Sequence, residues 1–184
     1  MKKNTNKPPQ NKVPGEESWE KLAPLSTIIK ENFDEIESRS LGTSVAGIPV
    51  TFYDLDAMTQ GLSRGELIVM GGRPAMGKTS MALNMAMNVA QCHDLPVCIF
   101  SLEMSKKQVA YRLISMEVGI ESQRLRTGRL WENEWSILGK GINELDNKPI
   151  FINDKGSITV EEMSEECQRI KEEQGKELGL VVID

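Results

Sequence analysis

Gly72-Arg73-Pro74-Ala75-Met76-Gly77-Lys78-Thr79 fills every fixed position of the phosphate-loop pattern G-x-x-x-x-G-K-[ST]. The apolar run Leu67-Ile68-Val69-Met70 precedes it, and Ser80 opens a long apolar stretch after it. That order predicts a buried strand, a tight glycine-rich turn and a helix whose N-terminal N–H groups cradle phosphate oxygens. Gly72 and Gly77 permit backbone conformations and close approach that a Cβ would block. Lys78 is placed to reach the β/γ phosphates, and the Thr79 hydroxyl to hold Mg²⁺. The stretch from Gly72 to Ser80 is therefore expected to bind a nucleoside triphosphate. Four such fixed positions arise by chance in a chain of this size on the order of 1% of the time.

The 184 residues suffice for one core. Residues 1–23 are read as a disordered leader, because MKKNTNKPPQNKVPG is rich in Lys and Pro and nearly devoid of apolar residues. It lacks the apolar core of a secretory signal, and no run approaches the roughly 18 apolar residues of a membrane span. The expectation is a protein without membrane attachment, in the cytoplasm or a plastid stroma. Cys92, Cys98 and Cys167 stand far apart with no C-x-x-C and read as small buried hydrophobes in a reducing compartment. His93, the single histidine, has no partners that would make a metal site. A net charge of −5 argues against nucleic-acid affinity by bulk charge.

Leu25, Ile28, Ile29, Phe33 and Ile36 recur at helical spacing, predicting an amphipathic helix over 24–39 that must dock on its own domain or a neighbouring subunit. Linker-like Ser-Arg-Ser and Gly-Thr-Ser follow, and a helix start is expected at Asp54-Leu55-Asp56. Met81–Ala90 reads as a helix buried nearly all round, and Val97–Phe100 as an interior parallel strand. Ser105 with Gln108, and Thr159 with Glu162, are capping boxes for two further helices, with Ile158 and Met163 as a hydrophobic staple at the second. Val109, Leu113, Met116 and Ile120 should line the first inside, and Val160, Met163, Cys167 and Ile170 the second. Trp131, Trp135, Leu138, Ile142 and Leu145 predict another amphipathic helix, its tryptophans core residues rather than a base-stacking platform, weakened by Gly139 and Gly141. Ile150–Ile152 and Leu178–Ile183 complete the strands. Strands alternating with helices imply an α/β fold with a parallel sheet.

Ligands of such sheets lie beyond the carboxyl ends of the strands, where Lys78, Glu103 and Asp184 all fall. Leu180-Val181-Val182-Ile183-Asp184 is an apolar strand ending in an acid that could orient Mg²⁺ with Thr79. Glu103 is either the base that orients and deprotonates an attacking water or a helix-start acid favoured by the dipole. Arg124, Arg126 and Arg129 form a basic segment that reads as a structural cluster before a phosphate contact.

The phosphate loop, Ser-Leu-Glu-Met-Ser at 101–105, Arg-Leu-Arg-Thr-Gly at 124–128, the lead-in Gly47-Ile48-Pro49-Val50-Thr51-Phe52-Tyr53-Asp54-Leu55-Asp56 and the terminal Val-Val-Ile-Asp together resemble the DnaB-type replicative DNA helicases, over about residues 24–184. The resemblance implies a RecA-like ATPase domain over 47–184, a linker helix and linker over 24–46 that packs on the neighbouring subunit, and a ring-shaped homohexamer. It implies ATP and Mg²⁺ as cofactors, 5′-to-3′ translocation on single-stranded DNA, and Glu103 as the catalytic glutamate. The nucleotide-sensing strand, the DNA-binding loops and the trans-acting arginine finger of such helicases lie beyond the Asp184 strand. Primase is contacted by an N-terminal helical domain that this sequence does not carry. The expectation is thus a fragment, cut at Asp184 with a central sheet position empty, that binds nucleotide and does not unwind DNA alone. The rival expectations are a RecA-like ATPase that does not act on DNA, and a non-catalytic segment that docks on intact helicase subunits.

Overall fold

In the computed structural model, residues 22–41 and 46–184 are described, and the chain divides into one unit ending at Val45 and another spanning Ala46–Asp184. The leader expected over 1–23 falls outside the described residues except for its last two positions, and the Gly-Thr-Ser linker falls outside them entirely.

The first unit contains α1 (Leu25–Ser40). It runs through the Ser-Arg-Ser expected to be linker, because Ser38 Oγ donates to the Asp34 carbonyl and Arg39 pairs with Glu35 one turn back. Leu25, Ile29, Phe33 and Ile36 are exposed on it.

In the second unit, the continuous apolar runs form interior parallel strands. β1 (Val97–Phe100) lies between β2 (Ile150–Asn153) and β3 (Leu180–Ile183), with Val97 in register with both Ile150 and Leu180. All four β1 residues are buried, as a strand covered on both faces requires. The helices in chain order are α2 (Tyr53–Thr59), α3 (Lys78–His93), α4 (Lys106–Val118), α5 (Ser122–Thr127), α6 (Glu132–Asp146) and α7 (Val160–Gln174). Leu83, Ala86, Val89 and Ala90 of α3 pack with Val97, Ile99 and Val109 in the main core. Asn84 and Asn88 interrupt the apolar surface of α3 without loss, since Asn84 bonds the Ser80 carbonyl and Asn88 the Val50 carbonyl. A second cluster joins Cys98 and Phe100 to Met163 and Ile170, and Ile158 packs against it, so both predicted staple residues belong to the same apolar cluster. Both capping boxes are formed, Ser105 with Gln108 and Thr159 with Glu162.

Several expectations are corrected. The run Leu67–Met70 is not a buried strand. It pairs with no strand among the described residues, and Leu67 and Val69 are 90% and 82% exposed. An apolar run becomes a strand only when a neighbour completes its ladder. Between this arm and the open edge of β3 runs a groove of about 450 Å³, lined by Leu67–Met70, Ala82, Met85 and Leu180–Asp184. It lies where the sheet was expected to lack a strand.

Trp131 and Trp135 are not core: both are exposed, as is Val160 on α7. The inner face of α6 carries Glu134 and Gly141, both buried, with the half-buried Leu138 and Leu145 that were expected there, while Trp135 and Ile142 turn outward, a small rotation from the predicted stripe. Gly141 sets that rotation, because a Cβ there would lie 2.3 Å from Val118 Cγ1 of α4. Cys92 is exposed, whereas Cys98 is buried and Cys167 half-buried. His93 hydrogen-bonds the Pro49 carbonyl through Nε2 at 2.8 Å, a structural contact.

Candidate functional site: a phosphate cradle at the strand ends

The cradle begins with backbone geometry. Gly77 precedes α3 with φ +86°, in the left-handed region that glycine enters without strain, and Ala75 also has positive φ at 61°. Met76 N–H donates to the Arg73 carbonyl and closes the turn. No side chain caps α3, so its first N–H groups remain open to an anion and the helix dipole points there. Pro74, Ala75, Gly77, Lys78, Thr79 and Ser80 line a polar cavity of about 490 Å³ with Glu103, Arg112 and Asp184. Lys78 Nζ donates to the Gly72 carbonyl at 3.1 Å, holding the ammonium over its own loop. A Cβ on Gly72 would sit 3.3 Å from Lys78 Cγ, so this position also keeps the lysine's path clear.

The two acids are fixed by the sheet. Asp184 N–H donates to the Phe100 carbonyl at 3.0 Å, and Leu102 N–H to the Asp184 carbonyl at 2.6 Å. Ser101 N–H reaches the Asn153 carbonyl, and the buried Ser101 hydroxyl accepts from Met104 N–H. Glu103 thus leaves a tightly tied strand end and stands exposed in the cavity. Thr79 Oγ1 lies 3.0 Å from both Asp184 Oδ1 and Oδ2. A hydroxyl beside a carboxylate, near an uncapped helix start, is the kind of hard oxygen set that Mg²⁺ takes when further oxygens come from a ligand. Among the described residues no group of three His, Cys, Asp or Glu could hold a metal.

Lys78, Thr79, Glu103 and Asp184, each singled out in the sequence, therefore converge on one cavity. Arg73 and Met76 belong to the loop, but neither lines the cavity. Arg112, which sequence reasoning passes over, does line it. It sits nine residues after Glu103 on α4, and a signal for it exists: a helix that starts at the sheet's carboxyl end carries its first turns past the ligand.

Of the basic segment, Arg124 is structural. Arg124 forms a bidentate pair with Glu134 at 2.8 and 2.7 Å and lies 4.3 Å from the centre of the Trp131 ring. The Arg124 guanidinium, helped by the Trp131 N–H, holds the Glu134 carboxyl below its ordinary range.

Known proteins share this arrangement of elements. A family model described as "DnaB-like helicase C terminal domain" matches residues 47–184. The chain is 50% identical over 163 residues to the replicative DNA helicase DnaB of Nostoc sp., a match covering 89% of this chain and 18% of that protein. It is 40% identical over 161 residues to the replicative DNA helicase DnaC of Bacillus subtilis, covering 87% and 35%. The chain thus spans about a fifth to a third of the length of these curated relatives. Among solved structures, one described as an ATPase domain matches with a TM-score of 0.80 at 32% identity, covering 89% of this chain and 57% of that one. A DnaB-like replicative helicase studied with its interactions with primase matches at 0.77 and 32%, covering 89% and 39%.

Proposed function

This chain belongs to the DnaB-like helicase C-terminal domain family, and on that footing we propose that it binds ATP with Mg²⁺ as the nucleotide-binding core of a replicative DNA helicase. The observation that carries the reading is the approach of Thr79 to Asp184 beside an uncapped helix start and a lysine-tipped glycine loop.

In this reading the N–H groups of Ala75 and of residues 77–80 hold the phosphate oxygens, and Lys78 swings from the Gly72 carbonyl onto the β/γ phosphates. Thr79 and Asp184 would hold Mg²⁺, which neutralises charge developing on the phosphates during transfer. Glu103 orients a water for in-line attack on the γ-phosphate and takes its proton. Its exposed place in the cavity, with no hydrogen bond or ion pair among the described residues, supports that role over a helix-start acid, since the start of α4 is capped by Ser105. At the level of the assembled helicase, we place the ATPase domain at 47–184 in a homohexameric ring translocating 5′ to 3′ on single-stranded DNA. The exposed apolar stripe of α1 supports residues 24–46 as a linker that docks on a neighbouring subunit. No helix among the described residues is long and apolar enough to cross a membrane, which suits a cytoplasmic or stromal site of action.

The test is titration of the chain with a fluorescent ATP analogue, with and without Mg²⁺. Saturable, Mg²⁺-dependent binding that Lys78→Ala weakens at least tenfold is the expected result. Equal affinity in parent and variant would sink the reading.

A further inference from the structure

Arg112 lines the phosphate cradle on one side and, on the other, a second cavity of about 530 Å³ between α4 and α5. Arg126 projects into that second cavity from α5, and Gln108, Ser122, Gln123 and Thr127 complete its polar lining. No carboxylate lines it. Among the described residues neither Arg112 nor Arg126 has a hydrogen bond or an ion pair. That contrasts with Arg124, on the same short helix as Arg126, which is committed to Glu134 and the Arg129 carbonyl. Arg112 is half-buried, and a guanidinium withdrawn from water without a partner is costly unless an anion completes it. Gln108 spends its carbonyl oxygen on the Ser105 N–H and hydroxyl, leaving its amide NH₂ free to donate. The walls therefore offer two guanidinium forks, amide donors and a hydroxyl, a set that matches the several acceptor oxygens of a phosphate group.

We propose that this second cavity is a phosphate-binding site, separate from the nucleotide cradle and coupled to it through Arg112. A phosphate in either cavity draws on the same guanidinium, so occupancy of one site changes the affinity of the other, and the effect is reciprocal. The phosphate could belong to a free anion or to the backbone of a single strand of DNA; the chemistry recognised is the same.

The experiment titrates two probes by calorimetry, inorganic phosphate and a short oligodeoxythymidylate, into the whole chain without nucleotide and again when saturated with Mg²⁺ and a non-hydrolysable ATP analogue; probe affinity should differ between the two states. Arg126 is the residue to change, because it is exposed and lines only the second cavity. Saturable binding of at least one probe is expected, weakened tenfold or more by Arg126→Ala and less by Arg126→Lys, with the analogue's own affinity altered less than twofold. Binding of inorganic phosphate would identify a free-anion site, and binding of the oligonucleotide alone a backbone site. Failure of both probes to bind, or binding equal in parent and Arg126→Ala, would overturn the proposal. The Arg126 comparison repeated in a Lys78→Ala chain separates this outcome from failure of nucleotide binding, since it needs no occupied cradle.

Discussion

Thr79 Oγ1 stands 3.0 Å from each carboxylate oxygen of Asp184, although 105 residues separate them in sequence. One sits in the first turn of the helix after the glycine loop, the other at the end of β3. Their meeting makes two ordinary sequence patterns into one site.

The Thr79–Asp184 contact should therefore be a metal contact in the nucleotide complex. Asp184→Asn and Thr79→Val are each expected to lower nucleotide affinity about tenfold in Mg²⁺ and to change it little in EDTA. Titration in both buffers measures this. An equal loss with and without Mg²⁺ would remove the pair from the metal site.

Glu103→Gln keeps the size of the side chain and removes the base. Nucleotide affinity should stay within twofold of the parent while turnover falls by about 10² or more, measured in an assembly that hydrolyses ATP. Turnover at the parent rate would return Glu103 to being a surface acid.

Gly139 and Gly141 lie two residues apart on α6 and should answer substitution oppositely. Nothing lies near a Cβ at Gly139, so Gly139→Ala should stabilise by roughly 1 kcal/mol through helix propensity. A Cβ at Gly141 would meet Val118 at 2.3 Å, and Gly141→Ala should destabilise by about 1–3 kcal/mol through overpacking. Thermal melts of both variants decide the matter; a stabilising Gly141→Ala would contradict the α4–α6 packing.

The Arg124–Glu134 pair gives a pH dependence with a definite sign. The folded Glu134 carboxyl titrates below its ordinary range because of the Arg124 guanidinium and then the Trp131 N–H. Its contribution to stability is thus complete above the carboxylate's unfolded value and is lost as pH falls through the lower folded one. Glu134→Gln should lessen the stability lost on acidification while lowering stability near neutrality. Unfolding curves for the two proteins that run parallel from neutral pH into the acid range would exclude the linkage.

Local rules carry the parts of the structure that depend on local chemistry. Both capping boxes, the interior run at 97–100 and the phosphate loop are legible because their hydrogen bonds or burial follow from neighbouring residues. Leu67–Met70 misleads because a strand needs a partner, and nothing in four apolar residues says whether one will be there. The tryptophans of α6 mislead because the helix is rotated by Gly141 and by the buried Glu134. A pattern that counts only large apolar residues cannot register a glycine and an acid on the inner face. Arg112 escapes notice for a related reason: an arginine on an amphipathic helix looks solvated until the cavities on both sides of it are visible.

The hydrogen bonds that tie Asp184 to Phe100 and Leu102 have a mechanical meaning. They make the two acids a single fixed jaw, clamped to the centre of the sheet. The glycine loop is the opposing jaw, carried by α3 and entered through an arm that no described strand restrains. If the cradle takes a nucleotide as proposed, any closing movement would fall to the loop, because the side that carries Asp184 is already tied to the sheet.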